Sequence, residues 1–223
     1  MKKYAVIVAG GSGVRMGSHT PKQFLLLRNK PVLWHTMSAF LSAFDDLTII
    51  LVLPALYLDT GREIVATLAA PERVQVTTGG DTRYQSVQNG LQLAEKEAVI
   101  FVHDGVRCLV TPALIQKCYT VTVEKGNATP AIAAVDSIRI DTGAGNEVMD
   151  RNKVRMIQTP QTFLAAQLLK AFEQPYEASF TDEATVVERM GITIHLVEGE
   201  STNIKITQSL DLLIAEKILE ERN

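Results

Sequence analysis

The sequence predicts an α/β fold built on a mainly parallel sheet, and three observations carry that expectation. Apolar runs alternate with amphipathic stretches through the first 125 residues, the rhythm of strands joined by crossover helices. The runs are β-branched and continuous, without strict alternation, which suits strands covered on both faces. The first run, Tyr4–Ala9, empties into a loop with glycines at 10, 11, 13 and 17. A glycine-rich loop after the first strand of such a sheet is a common place for a ligand.

The predicted strands, in order, are Tyr4–Ala9, Leu47–Leu53, Val74–Thr78, Ala98–His103, Ala128–Val135 and Thr193–Val197. Helices are expected between them. Pro31–Phe44 begins with a proline in its first turn, and Leu56–Leu68 follows the second strand. Thr82–Glu95 carries Val87, Leu91 and Ala94 on one face, with Asp81 or Thr82 as its cap. Thr111-Pro112 reads as a cap and a first-position proline, opening a helix to about Glu124. Thr181-Asp182-Glu183 starts another, with Thr181 a good cap and Gly191 a left-handed terminator. Asp211–Glu221 is a final amphipathic helix.

The stretch from Ser137 to Val154 breaks this rhythm. Short alternating segments flank a Gly-rich turn, the pattern of a β-hairpin that projects from the body. With no linker, repeat or low-complexity tract, residues 1–223 are expected to form one domain with one β-arm at about 137–154. The expected architecture is thus a Rossmann-like, mainly parallel sheet with helices on both faces and a projecting arm.

Composition narrows the function. A chain of 223 residues with 46% apolar content can bury a core, and its net charge is −3 with the basic residues scattered. No basic block tracks a nucleic-acid backbone, so no nucleic-acid polymer is expected as a partner. Cys108 and Cys118 lie ten apart without a CxxC or a neighbouring histidine at ligand spacing, which points to two buried free thiols in a reducing compartment. The apolar run behind Lys2 and Lys3 is shorter than the roughly 7–15 residues of a secretory core. No stretch approaches the ~18 apolar residues of a membrane span. A cytoplasmic protein with no membrane partner is expected.

Three ligands compete for the glycine loop. The dinucleotide pattern G-x-G-x-x-G starts at Gly11 and Gly13, but its third position is Met16, and residues 28–36 lack the expected acid. The P-loop needs a Gly-Lys pair that the loop does not have. A looser polyphosphate loop fits: glycines let backbone N–H groups turn toward an anion, while Arg15 and, after Pro21, Lys22 supply full charges.

Here a resemblance enters. "AGGSGVRMG" followed by "PKQFLLL" resembles the signature of the sugar-phosphate cytidylyltransferases, most closely those acting on methylerythritol phosphate in non-mevalonate isoprenoid synthesis. "GGDTRYQSV" at 79–87, "VHDGVR" at 102–107, "MDRN" at 149–152, "QTPQTF" at 158–163, "TDEA" at 181–184 and "NIKIT" at 203–207 resemble further family motifs in family order. Two departures stand out: Cys108 replaces a proline in "HDGVRC", loosening the loop after the acid, and Ser137 replaces a threonine.

The resemblance implies transfer of CMP from CTP to a sugar phosphate, with pyrophosphate leaving in line. Such chemistry asks the protein for cations and position, with little covalent work. The resemblance implies catalytic roles for Arg15, Lys22 and Arg151. It implies nucleotide binding by Ala9, Gly10, Gly11, Gly13, Gly80, Asp81, Ser86 and Lys205. It implies acceptor binding by Ser137, Arg151, Thr159 and Thr181, with the arm entering a neighbouring subunit's site and hence a homodimer. Asp104 ends a buried strand, where such sheets place ligands, and both that position and the resemblance make it the ligand of a Mg²⁺. His103 is given no role, and Arg83 either reaches a substrate or pairs on the surface. The near rival is a ribitol-5-phosphate cytidylyltransferase, and the remote one an NAD-dependent oxidoreductase.

Overall fold

The continuous apolar runs become the central strands, and their flanking amphipathic stretches become the helices that cover them. A computed structural model describes residues 1–11 and 20–222. In chain order these residues form β1 (Lys2–Val8), β2 (Leu26–Leu27), β3 (Lys30–Pro31), α1 (Val32–Ala43), β4 (Leu47–Leu53), α2 (Leu58–Val65), β5 (Val74–Thr78), α3 (Arg83–Leu91) and β6 (Ala98–Asp104). There follow α4 (Pro112–Lys125), β7 (Asn127–Ala133), β8 (Ile138–Asp141), β9 (Asn146–Met149), β10 (Arg155–Ile157), β11 (Gln161–Leu164), α5 (Ala165–Ala171), α6 (Glu183–Glu188), β12 (Leu196–Glu198) and α7 (Ser209–Glu221).

The main sheet runs β10-β7-β11-β6-β1-β4-β5, with β12 also paired to β7. The pairs β6–β1, β1–β4 and β4–β5 are parallel, whereas β11 runs antiparallel to both β6 and β7. Period-two alternation within each central strand sorts its side chains between two cores. Ala5, Ile7, Ile49 and Leu51 pack with α1 and α4, while Val6, Ile50 and Val52 pack with Tyr84 and Val87 of α3 and Leu168 of α5. That double coverage is why the strands read as unbroken apolar runs.

The expected caps hold in part. Thr111 caps α4 through the Leu114 N–H, Pro112 is its first residue, and Gly126 closes it at φ 95°. Thr82, not Asp81, caps α3, in a reciprocal capping box with Gln85. At α6 the cap is Asp182 rather than Thr181; the aspartate accepts the Thr185 N–H. Gly191 does sit at φ 77°, but α6 has already ended at Glu188.

The second half departs further from expectation. β10, β11 and α5 were not foreseen, because each is too short to show a period. The strand expected at 193–197 is reduced to Leu196–Glu198; upstream, the Asn127 side chain replaces ladder bonds by taking the His195 N–H and donating to the Thr193 carbonyl. The hairpin arm is present as β8 and β9, paired Ile138↔Met149 through Asp141↔Asn146. Cys108 and Cys118 are free and buried, and burial pushes each thiol up to about 12. No helix is long and apolar enough to cross a membrane among the described residues.

Candidate active site

Strand order reverses at β1: the chain passes from β1 outward through β4 and β5, then crosses back to β6 on the other side. Ligands bind such sheets at the carboxyl ends of the strands flanking that reversal. Here the ladder extends past the strand ends through Ala9 N–H to the Val52 carbonyl (3.0 Å), Gly79 N–H to Leu53 (2.8 Å) and Gly105 N–H to Val8 (2.9 Å). A cavity of about 350 Å³ opens over these ends.

One end of the cavity is lined by backbone. Ser86, on the first turn of α3, reaches back over residues 79–82: its hydroxyl accepts the Gly80 N–H (3.1 Å) and donates to the Thr82 carbonyl (2.9 Å). A Cβ at Gly79 would lie 2.8 Å from that hydroxyl, so only glycine lets the loop pass this close. Across from it, Gln23 donates to the Ala9 carbonyl (2.8 Å) from a buried position, fixing the end of β1. Lys22 precedes it in a short 3₁₀ turn and runs beside Gly11, with its Cε 3.6 Å from where a Cβ there would sit.

The other end is charged. Asp104, the last residue of β6, faces Lys205 (2.9 Å), Arg83 (3.4 Å) and Arg107 (3.6 Å). Burial alone would raise its pKa; Arg83 first, then Lys205 and Arg107, instead hold the carboxyl well below the usual range. Arg83 also forks onto both oxygens of Glu183, and the two carboxylates outweigh its own burial to keep it firmly protonated. Three cations thus face two carboxylates, leaving one net positive charge beside the cavity.

Asp104 is held from behind. Its N–H donates to Thr159 Oγ1 (3.1 Å), which also bonds His103 Nδ1 (3.0 Å). His103 is fully buried against the Phe40 ring, and that burial lowers its pKa to about 4, so it stays neutral and structural.

Ala9, Gly10, Gly11, Lys22, Gly80, Asp81, Ser86, Asp104 and Lys205 all line the one cavity. Gly13 and Arg15 lie outside the described residues. Thr159 does not line the cavity and acts on Asp104 from beneath. Neither do Ser137, Arg151 and Thr181; Arg151 is exposed and donates to the Val135 carbonyl (2.6 Å), closing the base of the arm. Lys205 reaches in from the segment before α7. Arg83 pairs inside the site rather than on the surface. Sequence reasoning missed Gln23 and Glu183, although each sits within a quoted motif, "PKQF" and "TDEA".

Among the described residues no three His, Cys, Asp or Glu side chains cluster to cage a metal. Asp104 at the cavity wall does fit Mg²⁺, which takes one or two carboxylates and fills its shell with phosphate oxygens and water.

The comparisons with known proteins identify the family. A family model described as 2-C-methyl-D-erythritol 4-phosphate cytidylyltransferase matches residues 4–221. The chain is similar to the protein of that name from Bacteroides fragilis, 43% identical over 219 residues, covering 98% of this chain and 100% of that one. It is also similar to the crystal structure of the Francisella tularensis enzyme of that name, with a TM-score of 0.81 at 29% identity over 97% and 99% of the two chains. For the fold alone, the 4-diphosphocytidyl-2C-methyl-D-erythritol synthase of Anaerococcus prevotii superposes with a TM-score of 0.84 at 24% identity, over 98% of each chain. With motif order, fold and site geometry in agreement, the chain belongs to the 2-C-methyl-D-erythritol 4-phosphate cytidylyltransferase family.

Proposed function

We propose that the protein transfers CMP from CTP to 2-C-methyl-D-erythritol 4-phosphate. A phosphate oxygen of the acceptor attacks the α-phosphorus, the bond to the β-phosphate oxygen breaks, and pyrophosphate leaves with that electron pair. The observation that carries this reading is the single cavity with a backbone-lined end and a cationic end, at the switch point of the sheet. The backbone-lined end, between Ala9 and the Ser86-braced loop, would take the base and select a pyrimidine over a purine by size. Lys22 and Lys205 meet the phosphates, where charge develops on the α-phosphate and the leaving oxygen. Arg15 belongs with them by its place in the motif.

Asp104 would hold a Mg²⁺ together with the phosphates of CTP. The ion would supply neutralisation of the phosphate charge there. Without it, Asp104 is balanced by Lys205, Arg83 and Arg107.

The acceptor phosphate needs its own cation, and Arg151 is outside the cavity of its own chain. The arm and the neighbouring β10 expose Val135 (76%), Ile140, Val148 (75%), Met156 and Ile157, apolar surface suited to burial against a second copy. A homodimer in which each arm carries Ser137 and Arg151 to the partner's cavity completes the site. Each chain then acts as one nucleotidyltransferase domain, in a cytoplasm whose redox poise suits two unpaired thiols.

The test is pyrophosphate release from CTP, UTP, ATP and GTP, with methylerythritol phosphate or ribitol 5-phosphate as acceptor, with and without Mg²⁺. CTP with methylerythritol phosphate and Mg²⁺ should lead by orders of magnitude. Equal rates with UTP overturn the base pocket, and a lead by ribitol 5-phosphate overturns the acceptor.

A further inference from the structure

We infer that Glu183 is a positioning residue for the transfer reaction: it occupies the fork of Arg83 so that only the Nε edge of that guanidinium bears on Asp104. This deepens the function proposed above and rests on it.

Glu183 is 1% exposed, so neither phosphate nor metal reaches it. Its two oxygens take Nη1 and Nη2 of Arg83, the second at 3.0 Å, while Arg83 Nε donates to Asp104 Oδ1 at 3.4 Å. A guanidinium is a rigid plane, and a two-point grip on its fork fixes where its third edge points. The grip is anchored in the sheet. Gln161, on β11, donates to the Asp182 carboxylate (2.8 Å) and accepts the Ala184 N–H (2.8 Å), holding the first turn of α6 on either side of Glu183. β11 neighbours β6, which carries Asp104. A carboxylate on β6 and one on α6, which Gln161 of the adjacent strand braces, are therefore tied by one arginine from α3.

Besides Glu183, Asp104 is the carboxylate that Arg83 pairs with among the described residues, and it would be the one to receive the freed fork. Two-point capture there would cover Oδ1 and turn the acid away from the nucleotide. Glu183 thus keeps Asp104 available by occupying both terminal nitrogens of Arg83.

The experiment compares Glu183→Gln, Arg83→Gln and the double variant in the full chain, by steady-state kinetics, CTP binding stoichiometry, thermal midpoint and crystal structure. Glu183→Gln should lower kcat about 10–100-fold, the usual cost of losing an outer positioning partner. The KM for CTP should stay within about threefold and one CTP per site should still bind, because Glu183 does not line the cavity and its backbone-lined end is untouched. If Glu183 acts only through Arg83, the double variant should be no slower than Arg83→Gln alone. The crystal structure of Glu183→Gln should show the Arg83 fork moved onto Asp104. A kcat within twofold of wild type, multiplicative losses in the double variant, or an Arg83 that stays put each overturn the inference. Should Glu183→Gln fail to fold, the double variant, which leaves no unpaired charge, still decides by comparison with Arg83→Gln. Wild-type protein inactive with CTP overturns the function instead, and the position of Arg83 still judges Glu183.

Discussion

Ser86→Ala separates two ways in which a hydroxyl can serve a base pocket. In the structure the hydroxyl holds its own loop: it accepts the Gly80 N–H at 3.1 Å and donates to the Thr82 carbonyl at 2.9 Å. Each such bond is worth about 1 kcal/mol net, so losing both costs the bound geometry about 2 kcal/mol. That is roughly a 30-fold change in an equilibrium constant. Calorimetry should therefore show CTP dissociation raised about 10–30-fold, with kcat changed far less because the charged end is intact. Gly79→Ala is the companion variant. Its methyl would meet the same hydroxyl at 2.8 Å, displacing it without deleting it. If loop geometry is what Ser86 supplies, both variants weaken CTP comparably. Unchanged CTP affinity in Ser86→Ala refutes the argument, and loss in Ser86→Ala with none in Gly79→Ala shows the hydroxyl reading the base directly.

Asp104→Asn should lower kcat about 10²–10³-fold, measured by pyrophosphate release over a Mg²⁺ series. Because the folded carboxyl is depressed, its stabilisation is full above the unfolded value of about 3.9 and fades as pH falls below it, so wild type and variant should converge in urea midpoint in strong acid. Lys22→Ala should lose a similar factor in kcat with its thermal midpoint little changed. His103, held neutral by burial with a pKa of about 4, should make stability fall by about 3 kcal/mol as pH drops from about 6.5 to 4; urea midpoints of His103→Asn should be flatter across that window. Equal mixing of Lys22→Ala with Arg151→Ala after unfolding and refolding should restore about a quarter of wild-type activity, since half the dimers are mixed and each mixed dimer has one intact site. No recovery speaks against the shared site.

Legibility in the sequence followed length and period. β1, β4, β5 and β6 were found because long apolar runs in a doubly covered sheet have no other use, and α4 because Thr111, Pro112 and Gly126 mark both ends. β10 and β11 were missed because three or four residues show no period, and their partners are set by tertiary pairing. Arg15, Lys22 and Asp104 were visible from local chemistry, whereas Gly80, Asp81, Ser86 and Lys205 were marked by the resemblance. Thr159 was visible only as part of a motif, and its place beneath Asp104 depends on which strand β11 joins. Glu183 read as a helix start because nothing local distinguishes an acid facing inward from one that serves the helix end.

The two substrate halves of this site also differ in what a substitution there disturbs. The nucleotide half rests on the ends of fully covered strands, so a change at Ala9, Gly79 or Gly105 is felt by the folding core. The arm, from Ile138 to Met149, is bonded mainly to itself and exposed along most of its length. Mutations there cost the fold of a single chain little, so on the proposed shared site they are screened by the dimer contact and the acceptor rather than by folding.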